Sequence, residues 1–292
     1  MTVRDVGPRD GLQAEAPLAP ADRARLVAAL VAAGVRRVEA VSFVSPKAVP
    51  AMAGAGEVLA SVGRPVGVTL TALVPNLRGA EMALEAGVDE LTVTVAASAE
   101  YNRRNVRMEI EESVEAVRAV AALASTAGVG VDAVVSCAFG SPYEGEVDPR
   151  GVAELGDRLR QGGCEALTLA DTTGMATPRV LDAVLDRTGA DVGLHFHETR
   201  GTGLLNCYAA LQAGVSRFDS SVGGLGGSPF AEGSAGNVAT EDLVALLDDL
   251  GVRTGIDLGR LLEASALVEQ LVGHPVPSRV AHAGPRVPSP PA

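Results

Sequence analysis

The chain has no tryptophan, 3% aromatic residues, three cysteines and one lysine, and each scarcity removes a class of protein. With so few rings, the core must be built from Val, Leu and Ala, which suits a parallel sheet covered by helices. Cys137, Cys164 and Cys207 are too scattered for a disulfide framework and form no C-x-x-C pair, so a reducing compartment is the simplest reading. The single lysine, Lys47, lies in a Ser45-Pro46-Lys47 loop, whereas a Schiff-base aldolase needs a desolvated lysine on a strand. Carbon–carbon chemistry would have to use a metal as its electron sink. Positive charge is also lacking: a net charge of −12 argues against a nucleic-acid partner. No apolar leader and no apolar run of membrane-spanning length appears, so the expected location is the cytoplasm, away from any membrane.

What is present is alternation. Short β-rich apolar runs at Thr2–Val6, Arg37–Val41, Gly67–Leu73, Glu90–Val95, Gly130–Ser136, Ala166–Ala170, Gly193–His197 and Arg217–Ser220 read as strands. Helical stretches follow at Ala21–Ala33, Val49–Val62, Leu77–Ala86, Glu109–Ala127, Gly151–Gln161, Pro178–Thr188, Gly203–Ala213 and Thr240–Asp249. Ala-Gly-Val punctuation at Gly34, Gly87, Gly128 and Gly214 puts glycine where a helix ends in a left-handed residue before a buried strand. Eight strands, each followed by a helix, predict an α/β (β/α)₈ TIM barrel, a fold that uses a length of 292 residues for one core. We expect one catalytic domain over 1–285 and a disordered, proline-rich tail over 286–292. An additional helix near Gly259–Leu271 would pack outside the barrel or carry a lid or subunit contact, which leaves a homodimer open. The runner-up is an open doubly wound sheet, but the first strand runs into Gly-Pro-Arg-Asp-Gly rather than a G-x-G-x-x-G turn.

In a barrel of this kind reactive residues gather at the C-terminal ends of the strands. Arg9, Asp10, Glu39, Asp171, His195 and His197 all fall there. In His195-Phe196-His197 the two imidazoles would face one side of a strand, as metal ligands or as hydrogen-bonded core histidines. Arg9-Asp10 reads as a type I turn or as a carboxylate ligand beside an enolate-stabilising guanidinium. Asn237 reads as a ligand or as a helix N-cap. A mixed Asp, His and Asn set suits Mg²⁺ or Mn²⁺ better than a closed Zn²⁺ site. Gly223-Gly224-Leu225-Gly226-Gly227 is a glycine-rich loop without the lysine of a nucleotide-hydrolysing loop, and its functional reading is a mobile active-site loop.

These segments together resemble the 3-hydroxy-3-methylglutaryl-CoA lyase family of the DRE-TIM metallolyases. The resemblance runs from Val6 to about Gly255, through GPRDGLQ at Gly7–Gln13, SFVSPK at Ser42–Lys47, IEES at Ile110–Ser113, PYEG at Pro142–Gly145, DTTG at Asp171–Gly174, HFHE at His195–Glu198 and AGNVATED at Ala235–Asp242. It implies that Asp10, His195, His197 and Asn237 bind a divalent metal and that Arg9 stabilises the enolate of an acyl-CoA substrate. It implies further carboxylates at Glu39 and Asp171, and substrate contacts at Gln13, Asn105 and Lys47. The phosphates of the CoA would fall to Lys47, Arg103 and Arg104. The family's loop carries a catalytic cysteine where this chain has Ser228, and a serine hydroxyl titrates far above a thiol. The expected activity is therefore cleavage of a 3-hydroxyacyl-CoA to acetyl-CoA and an oxo acid with another proton donor, Asp171 or a metal-bound water. Alternatives are a citramalyl-CoA-type lyase, a condensing enzyme joining an acyl-CoA to an oxo acid, and a catalytically impaired metal-binding homologue.

Overall fold

The computed structural model describes residues 1–227 and 236–286. Eight parallel strands close into a barrel in chain order: β1 (Thr2–Asp5), β2 (Arg37–Ser42), β3 (Thr69–Leu73), β4 (Glu90–Ala96), β5 (Gly130–Ser136), β6 (Ala166–Ala170), β7 (Gly193–His195) and β8 (Arg217–Ser220), with β8 returning to pair with β1. Outside them lie α1 (Pro20–Ala32), α2 (Ala55–Val62), α3 (Leu77–Glu85), α4 (Ala99–Val106), α5 (Ile110–Thr126), α6 (Pro149–Gln161), α7 (Pro178–Thr188), α8 (Gly203–Gln212), α9 (Thr240–Asp249), α10 (Leu258–Val272) and α11 (Arg279–Ala283). The expected (β/α)₈ barrel is present, and closure excludes the open doubly wound sheet. The punctuating glycines adopt positive φ angles of 100° at Gly34, 79° at Gly87, 69° at Gly128 and 91° at Gly214. Among the described residues, no helix is long and apolar enough to cross a membrane.

Several boundaries differ from the sequence reading, each for a local reason. The stretch expected as one helix from Val49 splits into a 3₁₀ turn, Pro50–Met52, and α2, because Gly54 between them takes φ 73°. Helix α4 is not among the helices read from the sequence: AEYNRRNV is polar on most of its surface, and its start is fixed by the Ser98 side chain accepting from the Tyr101 N–H at 3.0 Å. The outer helix α10 packs on α1, α9 and the short 3₁₀ turn Val222–Gly224. The proline-rich tail, except Arg286, and Ser228 lie outside the described residues.

The barrel interior is unusual in its charge. Apolar layers normally fill such an interior; here Arg4 reaches across from β1 to Asp132 at 2.7 Å and to Asp219 at 2.7 and 2.8 Å, all three being nearly inaccessible. Arg37 on β2 holds Glu90 on β4 at 2.6 Å, across β3. The apolar core lies instead between the strands and the helices, in Leu, Val and Ala side chains such as Leu26, Val38, Leu91 and Leu167.

A second buried polar set fixes the loops after β1 and β8. Asp5 accepts from the Gly7 N–H at 2.8 Å and from the Thr240 hydroxyl at 2.6 Å, and Glu241 accepts from the Gly223 N–H at 3.0 and 3.1 Å. Burial pushes both carboxyls up to about 7, against about 4 in an unfolded chain. A raised carboxyl contributes stability that is complete below the unfolded pKa and is lost as pH rises through the folded one. The urea midpoint of metal-free protein is therefore expected to fall between pH 5 and 8. Each group contributes up to about 1.4 kcal/mol per pH unit. The slope should be shallower in Glu241→Gln, as equilibrium unfolding across that range measures.

Candidate active site

At the C-terminal end of the barrel a cavity of about 920 Å³ opens, lined at its base by Arg9, Asp10, Gln13, Glu39, His195 and His197. The first two come from an unusual turn, and Gln13 from the 3₁₀ turn Leu12–Ala14 that follows it. Directly after β1 the N–H groups of Arg9, Asp10 and Gly11 all turn onto the carbonyl of Val6, at 3.2, 2.7 and 3.2 Å, so Gly7–Gly11 forms a π-helical turn rather than the type I turn the composition suggested. Gly7 is required there, because a Cβ would stand 2.8 Å from both the Asp5 carboxylate and Val222. The winding carries Asp10 inward, where the residue is 8% exposed.

The two histidines meet Asp10 from the other end of the chain. Strand β7 ends at His195, not at His197 as expected; His197 instead pairs with Asn237 in an isolated antiparallel bridge. The imidazoles nonetheless converge, their Nε2 atoms 3.2 Å apart, with Asp10 Oδ2 4.0 Å from that of His195. One ligand atom from each of Asp10, His195 and His197 lies within 4.8 Å of the others. Asn237 donates to Asp10 Oδ2 at 2.8 Å and to the Leu225 carbonyl at 2.9 Å, while its own amide oxygen is buried without a hydrogen-bond partner. It does not cap α9, whose N-cap is Ala239. Gly226 permits this approach: at φ 118° it has no Cβ, which would otherwise sit 2.5 Å from the Asn237 amide.

Charge supports a cation at this point. Burial alone would raise Asp10, but Arg9 and the two imidazoles outweigh it and hold the carboxyl below its usual range. Arg9 bridges two acids, Glu39 through Nε and Asp10 through Nη1 at 2.7 Å, and Gln13 adds a donor to Asp10 Oδ1 at 2.8 Å. Glu39 is fully buried and leaves its second oxygen unpaired. The hard carboxylate, amide and imidazole donors fit a divalent metal with open positions. Around the cluster, buried carboxylates outnumber guanidinium groups, which a divalent cation would offset.

Sequence reasoning missed Asp219 and Arg4. Asp219 sits at the end of β8, 3.4 Å from His195 Nδ1. A carboxylate can only accept, so Nδ1 carries the hydrogen and Nε2 is left for a ligand. Arg4 pins Asp219, and its guanidinium outweighs burial to hold that carboxyl well below the usual range. Asp219 and the Asp10 charge likewise outweigh burial at His195 and raise it. The available signal was a charged residue at an inward-facing position of each strand, Arg4 in TVRD and Asp219 in RFDS.

The remaining expected residues are dispersed. Asp171 directly follows β6, and its Oδ1 accepts the N–H groups of Met175 at 2.6 Å and Ala176 at 2.9 Å. Its other oxygen is buried and partnerless, and burial pushes the carboxyl up to about 7. Its neighbours Ala170 and Thr172 line the cavity, whereas its own side chain does not. Asn105 and Arg104 line the cavity rim, with the Arg104 guanidinium 4.5 Å above the Tyr143 ring. Arg103 is tied to Glu100 and Glu109, and Lys47 is exposed and outside the lining. Cys137 is fully buried and away from the cavity; burial raises its thiol to about 12.

Residues 1–268 match the HMGL-like family. The chain belongs to that family. This HMGL-like chain is 46% identical over 285 residues to the 3-hydroxy-3-isohexenylglutaryl-CoA/hydroxy-methylglutaryl-CoA lyase of Pseudomonas aeruginosa, covering 96% of this chain and 95% of that protein. It is 42% identical to the human mitochondrial hydroxymethylglutaryl-CoA lyase, over 96% and 88% of the two chains. Among solved structures, an HMG-CoA lyase from Acenitobacter baumannii in complex with coenzyme A and 3-methylmalate superposes with a TM-score of 0.93 at 38% identity, covering 100% of this chain and 97% of that one.

The geometry around His195 generates a specific expectation. Asp219→Asn leaves Arg4 paired with Asp132 but no longer fixes the imidazole tautomer. Divalent-metal affinity should weaken about 10- to 100-fold, read by competition against a chelating dye. An unchanged dissociation constant would remove Asp219 from the site.

Proposed function

We propose that this HMGL-like chain is a divalent-metal-dependent carbon–carbon lyase that cleaves 3-hydroxy-3-methylglutaryl-CoA to acetyl-CoA and an oxo acid. The observation that carries this reading is the convergence of Asp10, His195 and His197 with Arg9 on one wall of a single cavity. We assign the metal to Asp10, His195, His197 and Asn237; Mg²⁺ or Mn²⁺ bound there supplies Lewis acidity to the oxygens of the substrate.

The protein's own groups would then act as follows. The substrate's hydroxyl gives up its proton, the bond between the second and third carbons breaks, and its electron pair passes to the thioester as an enolate. A carbonyl forms at the third carbon, and the enolate takes a proton to become acetyl-CoA. Arg9, held by Glu39 and Asp10, faces the cavity as a fixed positive charge for the enolate oxygen. Asp171, with one unpartnered oxygen buried beside the cavity-lining Ala170 and Thr172, is the carboxyl we assign to proton handling, through a relay rather than by direct contact with the substrate. Gln13 and Asn105 are assigned to substrate contacts at the cavity wall, Lys47 to the solvent side. We place the activity in a reducing, cytoplasmic setting, a reading supported by three free buried cysteines.

Metal-free protein with 3-hydroxy-3-methylglutaryl-CoA should release acetyl-CoA only after Mg²⁺ or Mn²⁺ is added, and lose the activity again in EDTA. Absence of cleavage in the metal-loaded protein would sink the lyase reading. Arg9→Lys removes the planar fork and should lower kcat by about 10²- to 10³-fold with little change in KM. Ser228→Cys separates two versions of the proton step. If Asp171 handles the proton, this substitution leaves kcat within about threefold, whereas a chain that had lost its donor would gain far more.

A further inference from the structure

The barrel has a second opening. At the N-terminal ends of the strands a cavity of about 320 Å³ is bounded by Thr2, Arg37, Glu90, Ala166, Gly193 and Arg217, the first residues of six strands. Two residues further along β1, β5, β6 and β8 stand Arg4, Asp132, Thr168 and Asp219, which also line it. Of these four, Arg4 and Asp219 line the C-terminal cavity as well, whereas Asp132 and Thr168 do not. Asp132 is 3% exposed and lies on β5, opposite β1 in the eight-strand ring.

The hydrogen bonds of this set run from the far wall toward the metal-binding cluster. The Thr168 hydroxyl lies 3.1 and 2.9 Å from the two oxygens of Asp132, and Arg4 Nη1 meets Asp132 Oδ2 at 2.7 Å. The other edge of the same guanidinium, Nε and Nη2, takes the two oxygens of Asp219 at 2.8 and 2.7 Å. Asp219 Oδ2 in turn faces His195 Nδ1 at 3.4 Å. A guanidinium is planar, so anchoring Nη1 fixes the plane in which the fork holds Asp219. Glu90 also stands near Arg4 Nη1, at 3.8 Å, but it is engaged by Arg37.

We propose that Asp132 is a positioning residue for the metal ligand His195, acting through Arg4 and Asp219 from the opposite wall of the barrel. The proposal rests on the metal assignment made above and adds a group outside the cavity that holds the cluster. Two alternatives for Asp132 are weaker. Charge balance does not require it, because the two-point contact with Asp219 already gives Arg4 a counter-ion. Stability does not favour it either, since apolar side chains packed in place of a buried ion set are often neutral or stabilising. What Asp132 adds is direction. It holds the free edge of the guanidinium, so the fork on the other edge keeps Asp219 Oδ2 turned to Nδ1 and leaves Nε2 for the cation.

A double-mutant cycle on Mn²⁺ affinity decides the matter, with the full chain and competition against a chelating dye as the readout. Asp132→Val should weaken Mn²⁺ binding by about three- to tenfold, less than the loss expected for a direct partner of the ligand. In an Asp219→Asn background the same substitution should change the dissociation constant by less than about 1.5-fold, because the path to His195 is already cut. Arg4→Lys, which keeps the charge and loses the fork, should weaken binding about tenfold or more. Equal losses from Asp132→Val in both backgrounds mean a general structural role and overturn the proposal. So does wild-type affinity in either Asp132→Val or Arg4→Lys. Circular dichroism checks folding; where Asp132→Val does not fold, Asp132→Asn runs the same cycle with the Thr168 contact kept. Wild-type protein that binds no Mn²⁺ overturns the metal assignment itself, whereas wild-type binding that these variants leave intact overturns the positioning role alone.

Discussion

The active end of this barrel depends on how negative charge is buried. Asp10, Glu39, Asp132 and Asp219 all lie inside a low-dielectric scaffold, and two guanidinium groups hold them: Arg9 between Asp10 and Glu39, and Arg4 between Asp132 and Asp219. Breaking one side of such a pair leaves an uncompensated charge, which costs several kcal/mol. The arrangement gives no large net stability, but it specifies orientation. Each carboxylate has one direction in which it is satisfied, and that direction fixes the imidazole and the turn it touches.

The barrel was legible because period and punctuation agree along nearly the whole chain. Apolar runs of strand length and amphipathic helices repeat eight times, with left-handed glycines punctuating four of the repeats, and no other common architecture has that rhythm. His195, His197 and Asp10 were legible for a related reason: reactive side chains at strand ends are out of place in a core. The shape of the connection between β1 and α1 was not legible. Pro, Asp and Gly favour a simple turn locally, and only the close approach of Asp5 and Val222 to Gly7 explains a wider one. His197 was placed on the strand by its spacing, yet its backbone partner is Asn237, far away in sequence.

Asp219 and Arg4 were missed because a charged residue within a strand gives no local indication of what it faces. Their meaning arises only when β8 closes on β1 and sets Arg4 opposite Asp219.

Barrel closure also has a consequence for the order in which the molecule is made. Asp10 and Asn237 are 227 positions apart, and their contact, like that between Arg4 and Asp219, joins the first strand to the last. During synthesis the N-terminal half emerges with Asp10, Arg9 and Glu39 but without either imidazole. On the proposed assignment, a nascent chain could capture no ion at this centre until the eighth strand and the loop beyond it had left the ribosome, and a cation held there would join the two ends of the fold.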